Sequence, residues 1–265
     1  MAQKKITIKD VAKEAGVSVA TVSYVMNHRT DIKISDDTRK KVLQVANLLN
    51  YTPNLAAKAL ASSQQHLLGI TYEKTDFPLM KAQQMMMLET FLAFFRTKGY
   101  EVILIDAGAA EQYDQVDALI CYGVTEEHFH ALGDKNFVPL IAFDCDVSDN
   151  LFFQINNDCN RLAMDAQRAF GSRDYTYLLL QPENAKLRGA IEQAFPNHQY
   201  YRPGEEVIRP GTRYFITDPI LDCLFGEHPN VFYASTLCNS KLELLFEALD
   251  CAINRRKTDN HNLLV

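Results

Sequence analysis

No run of apolar residues in this 265-residue chain approaches the roughly 20 needed to cross a bilayer. The start of the chain also lacks the short apolar core of a secretory leader, so a cytoplasmic protein without a membrane partner is expected. The six cysteines, Cys121, Cys145, Cys159, Cys223, Cys238 and Cys251, form no CxxC pair and have no close His to complete a zinc site. Reduced, packed thiols are expected there, and no metal. The signatures of common catalytic sites are missing as well: there is no GxSxG, no P-loop and no dinucleotide glycine fingerprint. Neither an enzyme nor a cofactor is expected.

What is present is unevenly charged. Up to Ser62 the chain carries ten Lys and Arg against five acids, a net +5, while the remaining 17 basic and 28 acidic residues give −11. A polyanion would attract the first part and repel the second. The cationic part contains TIKDVAKEAGVSVATVSYVMN, Thr7 to Asn27, which reads as two short helices around a tight turn. Thr7 and Asp10 make a capping pair, Val11, Ala12 and Ala15 an inward face, and Gly16 a stop that tolerates positive φ. Val17 is placed to plug the corner and Ser18 to cap the second helix, in which Val22, Val25 and Met26 fall inward at helical spacing. Val19, Ala20, Thr21, Ser23 and Tyr24 then point outward. A face of methyls and hydroxyls suits the DNA major groove, where methyls meet thymine and hydroxyls meet phosphates. From Ser35, an N-cap followed by two Asp, the stripe Val42, Val45, Ala46 and Leu49 predicts a third helix.

Through TIKDVAKEAGVSVATVSYVMN, then TRKKV, then NYTPNLAAKAL, the first quarter of the chain resembles the DNA-binding headpiece of the lactose-repressor (LacI-type) family. The resemblance implies a helix-turn-helix domain over residues 1–52. Ser18 would cap the recognition helix, Val19 and Ala20 would read base edges, and Thr21, Ser23 and Asn27 would hold phosphates. Thr7, Thr38 and Arg39 would be backbone anchors, with Tyr24, Tyr51 and Asn54 further contacts. A hinge follows over residues 53–65, too short to hold as an isolated helix in water. In the family such a hinge folds when two copies meet over the minor groove, so Leu60 would wedge between base pairs beside Ala57 and Lys58. Lys58 stands where the family more often has Arg, and lacks its planar fork. The alternative is a plain linker whose Leu60 packs on the body.

Residues 66–265 read as alternating strands and helices. Strands are predicted at His66–Glu73, Tyr100–Asp106, Ala118–Tyr122, Pro139–Phe143, Leu151–Ile155 and Tyr175–Leu180. Helices are predicted at 79–98, 126–132, 158–170 and 183–195. Strands apolar on both faces imply parallel sheets covered by helices. This looks like the periplasmic-binding-protein-like core of the same family, an α/β fold of two lobes. Two departures stand out: only Ala107 to Asp117 separates the second and third strands, leaving little room for a crossover helix. The body also runs short of a typical member, so a truncated second lobe is expected.

The resemblance further implies a sugar or purine effector in the cleft, with Asp144, Asn157, Lys186, Arg188 and Asp218 at or near the family's ligand positions. Met85, Met86 and Met87 with Phe91, Leu92, Phe94 and Phe95 can serve as core or as a dimer surface. His128 and His130, beside Glu126 and Glu127, fall on different faces of a short helix and are expected to be solvated. The resemblance thus implies a regulator, a repressor of carbohydrate-utilisation genes, that binds a palindromic duplex operator as a homodimer. The alternatives are a body that only dimerises or senses a protein, and a sugar-binding sensor.

Overall fold

The computed structural model describes residues 6–26, 33–49, 51, 65–105, 112–205 and 207–265. The chain divides into two compact units, Met1–Gln65 and His66–Val265.

In the first unit α1 (Ile8–Ala15), α2 (Val19–Met26) and α3 (Asp36–Leu48) close on Val11, Ala12, Ala15, Val22, Val25, Val42 and Ala46. Gly16 ends α1 at φ 67°, and the Val17 amide reaches back to the Ala12 carbonyl at 3.0 Å. A Cβ at Gly16 would meet nothing nearer than the Lys41 ammonium at 3.8 Å, so the backbone alone demands glycine there.

The second unit contains two parallel sheets. The larger has the order β10-β5-β4-β3-β1-β2, built from β1 (Leu67–Tyr72), β2 (Glu101–Leu104), β3 (Ala118–Tyr122), β4 (Leu140–Phe143), β5 (Phe153–Asn156) and β10 (Asn262–Leu264). Its strands alternate between two cores. Leu68, Ile70, Ile120, Ile141 and Phe143 face one side, and Leu119, Cys121, Leu140 and Ala142 the other. The first side is covered by α4 (Pro78–Thr97), through Met87, Phe91, Phe94 and Phe95, and by α9 (Asn239–Ile253). The second is covered by α5 (Glu126–Gly133) through Phe129 and Leu132. Gly69 in the central strand makes room for this: a Cβ there would collide with the side chains of Ile105 and Leu119.

The smaller sheet, β7-β6-β8-β9, is formed by β6 (Thr176–Leu179), β7 (His198–Tyr200), β8 (Tyr214–Ile216) and β9 (Val231–Tyr233). Against it pack α6 (Cys159–Phe170) and α7 (Ala185–Ala194) on one side and α8 (Pro219–Phe225) on the other. Four short strands agree with the reduced second lobe expected from the sequence. The chain crosses from the larger sheet after β5 and returns after β9. Phe77, Leu79 and Met80, at the start of α4, reach across to the core of the smaller sheet.

Several elements escape the sequence reading. Past Phe195 it assigns none, whereas the structure has β7, β8, α8, β9, α9 and β10 there. Four of these are strands of three residues, too short to carry a period. Between β2 and β3, residues 112–117 contain no helix. Not every cysteine is packed: Cys121 and Cys145 are buried, but Cys223 is exposed.

Candidate functional site

Two places in the chain have the makings of a site, one in each unit. In the first, Ser18 caps α2: its Oγ accepts the Thr21 amide at 3.0 Å and shares a hydrogen bond with the Thr21 hydroxyl at 2.9 Å. Ser35 repeats the arrangement at α3, with the Thr38 amide at 3.3 Å and the Thr38 hydroxyl at 2.8 Å. In each pair one hydroxyl donates to the other, which leaves one O–H to turn toward an acceptor outside. Thr7 holds the Asp10 carboxylate from its amide at 2.8 Å and its hydroxyl at 2.7 Å. Three neighbouring helices thus begin with polar, amide-rich turns of the kind that favour anions, and while Asp10 already supplies one at α1 and Asp36 and Asp37 at α3, the first turn of α2 carries no acid.

Between those turns Ser18, Val19 and Ala20 are exposed, and Thr21, Ser23 and Tyr24 are half-buried. Thr38 and Arg39 are half-buried at the start of α3. Tyr51 packs its ring against the core of the unit, and burial pushes its phenol up. Asn27, Asn54, Ala57, Lys58 and Leu60, the remaining expected contacts, lie outside the described residues.

In the second unit a cavity of about 260 Å³ opens between the sheets. The carboxyl ends of β3, β4, β6 and β8 supply Tyr122, Asp144, Leu180 and Asp218 to it, the position where parallel α/β sheets bind ligands. Of the five residues suggested for effector binding, Asp144, Asn157 and Asp218 line this cavity. Lys186 and Arg188 do not. The Lys186 ammonium pairs with Glu126 at 2.7 Å, and the Arg188 guanidinium donates to the Pro182 carbonyl at 3.0 Å. Asp218 is 5% exposed and caps α8 through the amides of Ile220 (2.7 Å) and Leu221 (3.4 Å). Burial raises its carboxyl to about 6, an effect that those amides and Gln83 only partly offset.

Lys241 is the site residue missed by the sequence reading. It is fully buried in the first turn of α9, and its ammonium donates to Asp144 Oδ1 at 2.5 Å and Asn157 Oδ1 at 2.8 Å, over the Phe143 ring at 4.8 Å. A cation in the first turn opposes the helix dipole, which is the sequence signal that something must compensate it. Asp144, held at φ 51°, is that compensation.

Asn184 ties the two sheets' halves together. Its Oδ1 caps α7 by accepting the Leu187 amide at 2.9 Å and also accepts the Asp146 amide at 3.3 Å. Its Nδ2 donates to the carbonyls of Val124 and Asp146, both at 3.0 Å, beyond β3 and β4 of the other half. Beside it, His128 is not solvated as the helical spacing suggests. Its Nδ1 meets Glu73 Oε2 at 2.9 Å, and the same carboxylate accepts the Thr125 amide at 3.1 Å. Burial opposes the charge on Glu73, but the Thr125 amide and the His128 ring overcome it and hold the carboxyl below its usual range. No cluster of His, Cys, Asp and Glu among the described residues could hold a metal ion. No helix among them is long and apolar enough to cross a membrane.

Comparison with known proteins bears on both units. The model of "Bacterial regulatory proteins, lacI family" matches residues 7–54. The probable HTH-type transcriptional repressor ExuR of Bacillus subtilis (strain 168) is 30% identical over 230 residues, covering 78% of this chain and 67% of its own length. Catabolite control protein A of Priestia megaterium is 32% identical over 173 residues, 61% of this chain and 50% of that protein. The chain thus spans half to two thirds of the length of these relatives. The crystal structure of the lac repressor dimer, bound to operator and the anti-inducer ONPF, aligns with 99% of this chain and 96% of its own. At 18% identity and a TM-score of 0.59 that likeness is one of fold. With residues 7–54 matched and ExuR aligned over 78% of it, this chain belongs to the lacI family of bacterial regulatory proteins.

Proposed function

We propose that the chain is a cytoplasmic, sequence-specific repressor of carbohydrate-utilisation genes that binds a near-palindromic duplex operator as a homodimer. The observation that carries this reading is the outward face of α2, where Val19 and Ala20 stand exposed on a helix fixed by Ser18. Their methyls match thymine in the major groove, while the starts of α1 and α3, with Thr7, Thr38 and Arg39, take the flanking phosphates. A +5 first part against a −11 remainder directs the approach. The names of the relatives, ExuR among them, support repression as the output. On α4 the exposed Met85 and Leu92, seven residues apart on one helical face, support pairing of two copies through that helix.

Two copies on one duplex read two half-sites, so the bound sequence carries twofold symmetry. The test is selection of bound duplexes from a random pool with the whole protein. A symmetric consensus with a central pyrimidine–purine step, the step that kinks most easily, is expected. No preference among sequences at about 150 mM salt, where non-specific binding has weakened, sinks the reading.

The cavity is read as the seat of a small-molecule effector. The engagement of Asp144 and Asn157 by Lys241 favours a second reading, in which the body only pairs and positions the two headpieces.

A further inference from the structure

The charged residues facing the cavity are Asp144, Glu183 and Asp218, and no Lys or Arg is among the described residues that line it. The nearby cation, Lys241, is spent on Asp144 and Asn157. An anion entering this space would lose its water, find no countercharge and face carboxylates, which is the costliest way to bury charge.

The neutral polar lining is largely bound to the protein itself. Gln84 donates to the Glu73 carbonyl at 2.8 Å and Thr90 to the Met86 carbonyl at 2.9 Å. The Tyr177 and Thr217 hydroxyls hold each other at 2.7 Å, and Ser235 donates to the Leu237 carbonyl at 3.3 Å. A ligand rich in hydroxyls would bring more polar groups than the walls can match, and each unmatched one is desolvated without return. Gln83, Tyr233 and Thr236 add further polar groups, and the larger part of the wall is apolar, with Met86, Leu179, Leu180, Ile191 and Phe195 prominent in it. Against this stand two polar groups within each other's field. Tyr122 is buried in the wall, and burial together with the charges of Asp144 and Asp218 raises its phenol well above the usual range. Asp218 accepts the amides of Ile220 and Leu221 on Oδ1 and is also met by the Gln83 side chain, and since a carboxylate offers about four acceptor positions it retains capacity for one further donor.

We propose that the cavity takes a small ligand with an apolar body and a single hydrogen-bond-donating head, neutral or cationic, seated on Asp218 and Tyr122, and that it excludes sugar phosphates and other anions. The inference rests on reading the cavity as the effector seat. It departs from a sugar-type effector because the larger part of the wall is apolar and many of its polar groups are already bonded within the protein.

The test uses the whole protein in thermal scans and isothermal titration with 2-phenylethylamine, 2-phenylethanol, glucose, glucose 6-phosphate and glucuronate. The two phenylethyl probes raise the Tm in proportion to the logarithm of their concentration, and the three sugars leave it flat. Asp218→Asn weakens the amine at least tenfold, and Tyr122→Phe, which keeps the ring and its packing, weakens the alcohol severalfold. Phenylethyl binding that is equal in both variants overturns the placement. Stabilisation by glucose or its phosphate without the phenylethyl probes overturns the ligand class while leaving the effector seat intact. Silence from all five at millimolar concentration, with operator binding preserved, overturns the effector seat and the ligand class together.

Discussion

Replacing Lys241 by Met keeps the buried stem and deletes the ammonium, so it isolates the charge. Lys241 is fully buried, and its partner Asp144 has a side chain 19% exposed. Removing one member of such a pair strands the other in a poorly solvated place, at a cost of about 3–5 kcal/mol. One term runs the other way: a cation leaves the first turn of α9, which returns about 0.3–1 kcal/mol. The stranded carboxylate dominates, and the net loss is about 2–5 kcal/mol. For a unit of this size each kcal/mol shifts the Tm by about 2–4 °C, so a fall of roughly 4–20 °C is expected. Asp144→Asn should restore much of it in the double variant, because Asn accepts positive φ and carries no charge to strand. The assay is urea unfolding at pH 7.5 of parent, both single variants and the double, read as a cycle. A coupling of about 2 kcal/mol or more is expected. Additive single effects, or a Lys241→Met protein within about 1 kcal/mol of the parent, refute the claim that Asp144 depends on Lys241.

Three further outcomes follow from other residues. Asp218, with a carboxyl raised to about 6, is easier to protonate folded than unfolded, so its contribution is present at low pH and lost as pH rises from about 4 through 6. Asp218→Asn should therefore gain on the parent across that window by up to about 3 kcal/mol, measured as urea midpoints at each pH; a constant difference contradicts it. Asn184→Asp keeps the α7 cap and deletes two donors, leaving the Val124 and Asp146 carbonyls unmet at about 1–3 kcal/mol each. Faster amide exchange in β6 and α7, with the headpiece unchanged, is the expected trace, and unaltered exchange speaks against the tie. Gly16→Ala has room for its methyl but not the backbone angle, so it should cost the headpiece about 1–2 kcal/mol and lower operator affinity; a neutral result in both assays refutes the φ argument.

The parts of the fold visible in the sequence are those that repeat. Helical spacing over Val11, Ala12 and Ala15, the S-x-x-T starts at Ser18 and Ser35, and the two-faced apolar runs of β1, β3, β4 and β6 each carry a local period. The strands β7 to β10 have three residues each and are held by neighbours that the chain does not announce. The body's site was visible only through resemblance, and only in part. Asp144, Asn157 and Asp218 meet at one cavity, while Lys186 and Arg188 turn to Glu126 and Pro182. Lys241 could not be assigned a partner from sequence because Asp144 lies 97 residues away, and His128 could not because Glu73 lies 55 away. Contacts that bridge such distances are decided by topology, after the strands have been ordered.

The side chain of Asn184 has a mechanical consequence. The same amide that finishes one half's helix also grips the backbone of the other half, so the two cannot part by a small slide that stretches every bond a little. Separation has to break the three bonds to Val124 and Asp146 together, while the cap on α7 stays with its own half, which makes the parting a jump between two settled arrangements. A signal arriving at the cavity would then be transmitted as a switch of population, with a threshold, and not as a graded bend.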